Sequence, residues 1–447
     1  MVDEPVAQTV GDKESLLWTF ENFKPQKFEA MSPNTEKYIP RILVAPVAFE
    51  YDGYAGTMDN WDNFGKWQLA LNKGRDAILP ETIEKVKKLT EGISDEREKV
   101  KVLYKYLQNK TRYVSIQLGI GGWQPFEAMT VDKLSYGDCK ALSNYMISLL
   151  KAVGIKGYYT VIYGGSNPPT VAEDFPKSYF NHVIVTVPLQ KDTVWLECTN
   201  QQNPFGYLGN FTGNRKAMMV TDNGAKIIKT PTYKGESNWQ IRSAEVVLDN
   251  NGNAQAQIQT NYTGLQIEND GLDNYVTSSL EEQKKWVHNS TSIPTFDIQK
   301  FKLTMVDEDK PEIGVSLNLI LNRFASVSGK RLFFTPNLMN RSTYIPEKLK
   351  ERKTEIVIRT GFIDVDTIRY KLPDNVYPEF LPEVQKHRSR FGEYESTFQM
   401  DKDGLLYIRK LKMKEGEYPA SAYQELTDFY KQVNKADNIK IVLLSKT

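Results

Sequence analysis

The chain has 447 residues, of which 40% are hydrophobic and 11% are aromatic. This composition excludes a largely disordered protein, and a chain of this length is expected to form about three domains. Lys and Arg number 57 against 56 Asp and Glu, a net charge of +1, so charge gives no reason to expect a nucleic acid or an anionic membrane as partner.

Export signals and membrane spans both require apolar runs. No apolar run approaches the roughly 18–20 residues that a membrane-spanning helix needs, so no membrane span is predicted. The opening residues, Met1 to Pro5, are acidic and have no apolar centre, so they do not form a signal peptide. The sequence leaves two alternatives: a cytosolic protein, or one whose export signal has been removed.

Residues 1–75 hold short apolar and aromatic runs separated by Pro, Asn and Gly, which predicts irregular β structure. A helical block follows. Pro80 suits a first helical position, and Asp95 with Glu98 forms a capping-box pattern ahead of a second helix. Apolar residues then recur on one helical face, which predicts an amphipathic helix over 139–153.

Strands dominate the rest of the chain. The pattern predicts strands at 157–163, 182–188 and 193–199, and the last two are close enough to pair as a hairpin. From about residue 236 the sequence alternates as β structure does. We predict four parts: 1–75, a partial N-terminal β region; 76–235, a core of helices on an antiparallel sheet; 236–345, a β-rich domain; and 346–447, a C-terminal β domain with a terminal helix.

Cysteine and histidine are scarce, with two and three residues respectively. Two cysteines cannot make a disulfide scaffold, and neither CxxC nor HExxH spacing occurs, so no metal and no cofactor are predicted. His288 and His387 lie in polar, helix-like surroundings and are predicted to be surface residues. His182 is left as the histidine near a candidate nucleophile.

Cys139 is that nucleophile, because it opens the predicted helix directly after Gly137 and Asp138. A thiol attacks as its thiolate, and the N–H groups and dipole of a helix N-terminus favour an anion. The same N–H groups can bind an oxyanion. The alternative is that Cys139 is a small buried apolar residue, which its position alone does not exclude.

His182 and Glu197 supply a base and an orienting carboxylate. His182 begins a strand of β-branched residues, where an imidazole has no packing advantage; the alternative is an exposed strand-end histidine. An even-numbered hairpin turn puts His182 and Glu197 on one face, and a two-residue turn at Leu189 and Gln190 puts them directly opposite each other. The carboxylate then fixes the imidazole tautomer. Cys198 points the other way, into the core.

Three motifs carry a resemblance to a known family: Gly137-Asp138-Cys139-Lys140, Asn181-His182-Val183 and Trp195-Leu196-Glu197-Cys198-Thr199. In order and spacing they resemble the core of the transglutaminase-like superfamily, over roughly residues 80–225. The resemblance implies an α+β fold with a papain-like core, in which helices pack on an antiparallel sheet. It also implies a catalytic triad of Cys139, His182 and Glu197.

Further segments resemble a narrower group, namely Arg112-Tyr113-Val114, Gly121-Gly122-Trp123-Gln124-Pro125 and Tyr418-Pro419-Ala420. These are multidomain, Bacteroidetes-type proteins with β-rich, sandwich-like domains on either side of the core. The resemblance implies export to the periplasm or cell envelope, and a larger N-terminal β domain of which residues 1–75 are the end. The superfamily usually has Asp where this chain has Glu197. It also has a side-chain oxyanion donor, for which Gln117 is the best-placed candidate.

The predicted activity is thiol-dependent acyl transfer on a peptide, protein or cell-wall amide, through a thioester. Hydrolysis by a cysteine protease or amidase is favoured over crosslinking, because excluding water requires a closed site and the sequence indicates none. The alternative is a non-catalytic scaffold with a degenerate core, whose β modules bind a partner or a glycan. Neither the substrate nor the oligomeric state follows from the sequence.

Overall fold

A computed structural model describes residues 4–22, 24–307 and 309–446. Two hairpins lie near its start. Strand β1 (Val6–Val10) pairs with β2 (Lys13–Leu17), and β3 (Ala48–Tyr51) pairs with β4 (Tyr54–Thr57). Short 3-10 turns occur at Thr35–Lys37, Gly119–Gly122, Gly235–Ser237 and Ala420–Ala422.

Helix α1 (Trp61–Asn72) corrects the prediction that residues 1–75 hold β structure alone. Asn60 caps this helix, and its side chain accepts a hydrogen bond from the Asn63 N–H at 2.8 Å. Trp61, Phe64 and Leu71 recur at helical spacing and are buried. That period was present in the sequence but was obscured by the polar and glycine residues between them.

The core of helices and strands follows α1. Its elements are α2 (Pro80–Leu89), α3 (Glu96–Lys110), β5 (Arg112–Tyr113), α4 (Ala128–Leu134), β6 (Tyr136–Gly137), α5 (Cys139–Ala152), β7 (Tyr158–Ile162), β8 (His182–Pro188), β9 (Thr193–Leu196), α6 (Gly209–Thr212), β10 (Lys216–Thr221) and β11 (Gly224–Lys229). Pro80 stands at the first position of α2 and Asp95 caps α3.

Five of these strands form one antiparallel sheet, in the order β11-β10-β7-β8-β9. Helix α5 packs on this sheet. Leu142 and Tyr145 of α5 share one apolar core with Val185 and Val187 of β8. The predicted arrangement of helices on an antiparallel sheet is therefore what the chain adopts.

The rest of the chain is rich in β structure. Its elements are β12 (Trp239–Leu248), β13 (Ala254–Thr263), α7 (Leu265–Asn269), α8 (Leu272–Tyr275), α9 (Leu280–Ser290), β14 (Phe296–Asp307), β15 (Glu312–Leu321), β16 (Ser326–Ser328), β17 (Arg331–Phe334), β18 (Ile356–Ile358), β19 (Phe362–Lys371), β20 (Val376–Phe380), β21 (Gln385–Ser389), β22 (Gly392–Asp401), β23 (Gly404–Met413), β24 (Gly416–Tyr418), α10 (Tyr423–Asp437) and β25 (Ile441–Ser445).

An eight-stranded sheet runs in the order β14-β15-β13-β12-β19-β23-β22-β21. A four-stranded sheet, β16-β17-β25-β20, contributes Phe334 and Leu443 to the same apolar core as Val246 and Leu319 of the larger sheet. Strand β12 pairs in parallel with β19, so strands from both sides of the predicted 345/346 boundary belong to one sheet. Local sequence patterns do not report a pairing between residues so far apart in the chain.

Within residues 4–22, 24–307 and 309–446, no helix combines the length and the apolar character that crossing a bilayer requires.

Candidate active site

Helix α5 begins at Cys139, and its first turn is held by Asp138. One carboxylate oxygen of Asp138 accepts a hydrogen bond from the Ala141 N–H at 2.9 Å, and the other pairs with the buried Lys140 ammonium. The N–H groups of Cys139 and Lys140 have no partner within the helix, because a helix leaves its first amides unpaired. Cys139 is 2% exposed. The thiol therefore lies beside free amides and a fixed helix dipole.

The entry to this helix depends on Gly137. Strand β5 pairs in parallel with β6, and the Val114 N–H donates to the Gly137 carbonyl at 2.9 Å. A Cβ atom at position 137 would lie 2.8 Å from the Cβ of Ala141. Only glycine allows the chain to pass so close to the helix that it enters.

His182 and Glu197 form a buried pair. The Nε2 atom of His182 is 3.0 Å from each carboxylate oxygen of Glu197, and the side chains are 8% and 3% exposed. The Thr199 hydroxyl donates to Glu197 Oε1 at 2.6 Å, and the Tyr104 hydroxyl donates to the Glu197 carbonyl at 2.8 Å. The Phe211 ring meets the imidazole edge to face, with centroids 5.2 Å apart. These contacts fix both groups.

The hairpin turn between β8 and β9 is longer than the predicted two residues. Pro188 pairs with Thr193, so residues 189–192 make the connection. The Leu189 N–H donates to the Asp192 carbonyl at 2.7 Å and closes the turn. Four is still an even number, so the side chains of the two strands keep the predicted faces.

The longer turn shifts the register by two residues. When the register is continued, Glu197 lies opposite Ile184 rather than opposite His182, and the prediction of directly opposed residues is wrong. Diagonal neighbours in a sheet are about 7–8 Å apart, against about 5 Å for opposed ones. The additional methylene of Glu spans this diagonal, which gives a physical reason for Glu where the resemblance implies Asp.

The contact between His182 and Glu197 shifts the pKa of both groups toward their charged forms. Burial alone lowers the pKa of His182, but attraction to Glu197 and hydrogen bonding with Cys139 and Glu197 outweigh it and raise that pKa to about 10. Burial alone raises the pKa of Glu197, but the His182 charge and the hydrogen bonds from His182 and Thr199 bring it below its ordinary value. Since Nε2 faces the carboxylate, Nδ1 is the nitrogen left for the Cys139 sulfur.

The structure thus brings Cys139, His182 and Glu197 together. Gln117 is exposed in the irregular segment between β5 and the 3-10 turn Gly119–Gly122, and its role as an oxyanion donor stays a prediction. Cys198 is buried, and burial raises the pKa of its thiol well above the ordinary value.

The two remaining histidines lie in the β-rich part. His288 is exposed and stacks on Phe296, and His387 is half-buried beside Tyr394. No group of three His, Cys, Asp or Glu side chains in the described ranges is arranged to hold a metal ion.

Several contacts at the site were missed from the sequence. Thr199 lies two residues after Glu197, the spacing at which a hydroxyl can reach back to a carboxylate, so a local signal for it was available. Phe211 contacts His182 across 29 residues of chain, and Tyr159 approaches the site from β7. Neither has a local signal, because both depend on how the sheet is ordered.

Cys139 lies in an apolar cluster. Trp61 of α1, Trp123 and Phe180 belong to the same cluster. These aromatic residues come from segments far from Cys139 in the chain, and no local sequence pattern indicates that they join its cluster. A cleft of about 560 Å³ opens at the other end of the triad, and both Glu197 and Glu268 line it.

Comparisons with known proteins agree with the fold of the core. Residues 83–199 match the family model of the Transglutaminase-like superfamily, and residues 330–443 match that of a domain of unknown function with a solved structure (DUF3858). A crystal structure described as "a putative protease" from Parabacteroides distasonis ATCC 8503 matches with a TM-score of 0.52 and 13% identity, covering 99% of this chain and 68% of that one. No curated protein matches the chain. The predicted α+β fold is confirmed.

Proposed function

Starting from a transglutaminase-like core over residues 83–199, we propose that this chain is a thiol-dependent acyl-transfer enzyme acting on peptide or other amide bonds. One observation carries the proposal. The imidazole of His182 lies between the Cys139 thiol at a helix N-terminus and the Glu197 carboxylate, 3.0 Å from both carboxylate oxygens. This is the arrangement of a nucleophile, a base and an orienting acid.

The proposed reaction begins from the thiolate of Cys139 and the imidazolium of His182, the state in which the thiol proton has already moved to the imidazole. The thiolate attacks the amide carbonyl carbon, and the carbonyl electron pair moves to oxygen, where the Cys139 N–H can bind it. The imidazolium then gives its proton to the leaving nitrogen as the C–N bond breaks. A thioester remains on Cys139. Attack by water yields the acid, and attack by an amine yields a new amide; either restores the thiol.

Hydrolysis by a protease or amidase is the finer part of the proposal. Because Cys139 is 2% exposed, free access of water does not by itself favour hydrolysis. The structural neighbour is described as "a putative protease", which agrees with a peptide substrate, although 13% identity establishes the fold alone. Peptide, protein and cell-wall amides remain the substrate classes, and the periplasm or cell envelope remains the proposed location.

A non-catalytic scaffold is the second candidate, and one observation favours it. Cys139 is 2% exposed and belongs to an apolar cluster, so a substrate reaches it only if neighbouring side chains move. In this alternative the core is retained for its packing, and the β-rich part binds a partner or a glycan.

Acylation by p-nitrophenyl acetate separates the two candidates, because this activated ester transfers its acetyl group to a nucleophilic thiol. The wild type is expected to release a burst of p-nitrophenolate and to carry acetyl on the peptide that contains Cys139, as mass spectrometry would show. Cys198→Ser is the matched control, since it removes the other buried thiol and should keep the burst. A burst of equal size in Cys139→Ser would contradict the enzyme.

The fate of that thioester tests hydrolysis. With methylamine present, a hydrolase is expected to release mainly acetate, and a crosslinking enzyme mainly N-methylacetamide. Predominant amide formation at low amine concentration would overturn the choice of hydrolysis and leave acyl transfer intact.

A further inference from the structure

Tyr159 carries a buried hydroxyl that has no hydrogen-bond partner among the described residues. The residue is on β7 and is 5% exposed. Leaving a buried polar group unpaired is destabilising, and native structures contain few such groups. A phenylalanine at this position would fill the same space without that cost, so the hydroxyl calls for an explanation.

The position of Tyr159 supplies one. Strand β7 lies beside β8, and Tyr159 belongs to the same apolar cluster as Cys139, Val161 and Val183. Burial raises the pKa of Tyr159 well above its ordinary value, and the nearby Cys139 and Asp138 add to the effect. The hydroxyl therefore keeps its proton and acts as a donor at every working pH.

This donor has no acceptor while the site is empty. A group that is unpaired in the resting enzyme and is satisfied only by charge formed during the reaction lowers the barrier, because it binds the transition state better than the ground state. An oxyanion attached to Cys139 would form at the N-terminus of α5, where the unpaired Cys139 N–H also lies.

We propose that Tyr159 is a catalytic residue that donates its O–H hydrogen bond to the oxyanion formed on Cys139, together with the Cys139 N–H. This inference rests on the proposed function. When the thiolate forms its bond to the carbonyl carbon, the displaced π pair charges the oxygen, and Tyr159 binds that charge. The pair returns to carbon as the leaving group departs with its electrons, and Tyr159 keeps its proton throughout.

The test compares two reactions of the same thiol. Acylation by p-nitrophenyl acetate passes through an oxyanion, whereas alkylation by iodoacetamide displaces iodide without one. In Tyr159→Phe the acylation rate is expected to fall about 10²–10³-fold. The alkylation rate and its pH profile should stay unchanged, and the melting temperature should not fall.

Tyr407→Phe is the matched control, because it removes another buried, unpartnered tyrosine hydroxyl, in the β-rich part. It should leave both reactions unchanged. Equal acylation in Tyr159→Phe and an active wild type would overturn the role of Tyr159 and leave the enzyme standing. A parallel fall in both reactions, or loss of folding in Tyr159→Phe alone, would show a structural hydroxyl and also overturn it. A wild type that is not acylated at Cys139 would overturn both proposals.

Gln117→Ala belongs in the same series, since Gln117 is the donor predicted from the sequence. A loss of acylation in Gln117→Ala with none in Tyr159→Phe would assign the oxyanion to Gln117 and refute the role of Tyr159.

Discussion

Two buried clusters of charged groups lie in different parts of this molecule. In the core, His182 and Glu197 pair beside Cys139. In the β-rich part, Arg409 contacts Asp437 at 2.7 Å and Asp366 at 3.2 Å, and Arg242 contacts Asp366 at 3.0 Å. All four side chains of this second cluster are at most 2% exposed.

The difference lies in whether a nucleophile belongs to the cluster. In the β-rich network each guanidinium pairs with a carboxylate, and the Tyr394 hydroxyl donates to Asp437 at 2.8 Å, which ties α10 to the sheet. The core cluster keeps a thiol beside an imidazole, and the Tyr159 hydroxyl has no partner among the described residues. Paired charges without a nucleophile serve stability, whereas hydrogen-bonding capacity left unused beside a nucleophile indicates chemistry.

The largest effect is expected when a substitution disrupts the core cluster. His182→Gln keeps a side-chain N–H for Glu197 but removes the group that accepts the thiol proton. The acylation rate of Cys139 should fall about 10⁴-fold, the upper range for loss of a general base. Stopped-flow release of p-nitrophenolate measures it. A fall of less than about tenfold would show that His182 is not the base.

The next largest effect is expected when a substitution disrupts the network in the β-rich part. Arg409→Met leaves the buried Asp437 without its Arg409 counter-charge and leaves Asp366 with Arg242 alone. The free energy of unfolding should therefore fall by roughly 3–5 kcal/mol. Urea denaturation measures the loss. Arg369→Met is the control, because it breaks the pair with Asp401, which water screens, and should cost much less than Arg409→Met. Equal losses in the two variants would contradict the distinction.

A smaller effect tests the diagonal contact between Glu197 and His182. Glu197→Asp withdraws the carboxylate by one methylene from the imidazole that it holds at 3.0 Å. Acylation should slow about 10²-fold, because displacement of a catalytic group by about 1 Å has that cost. The rate is compared with wild type in the same ester assay. Full activity in Glu197→Asp would show that the register does not require Glu.

The last effect, the smallest per unit of the variable changed, is in the pH dependence of stability. The pKa of His182 is raised to about 10 in the folded chain, so its contribution is complete below the unfolded value of about 6.5 and is lost as the pH rises from there to about 10. Between these values the wild type should lose at most about 1.4 kcal/mol per pH unit more than His182→Gln. Urea denaturation in this window tests it, and parallel pH profiles for the two proteins would refute it.

The sequence was sufficient for the local parts of the site. Apolar periodicity indicated the helix that begins at Cys139, and strand parity put His182 and Glu197 on one face. What it missed depends on contacts between distant segments. Trp61 joins the cluster of Cys139 from a helix whose period was overlooked, and Tyr159 joins it through the order of the strands. The length of the hairpin turn was also missed, because either turn length preserves the alternation of faces.

The most direct measurement is the rate of iodoacetamide alkylation of Cys139 against pH, in a Cys198→Ser background, with and without His182→Gln. The thiolate is the species that reacts. We predict that Cys139 reacts faster at neutral pH in the protein with His182 than in His182→Gln, and that the two pH profiles differ, because the imidazole takes the thiol proton. Two superimposable profiles would contradict a thiol activated by His182.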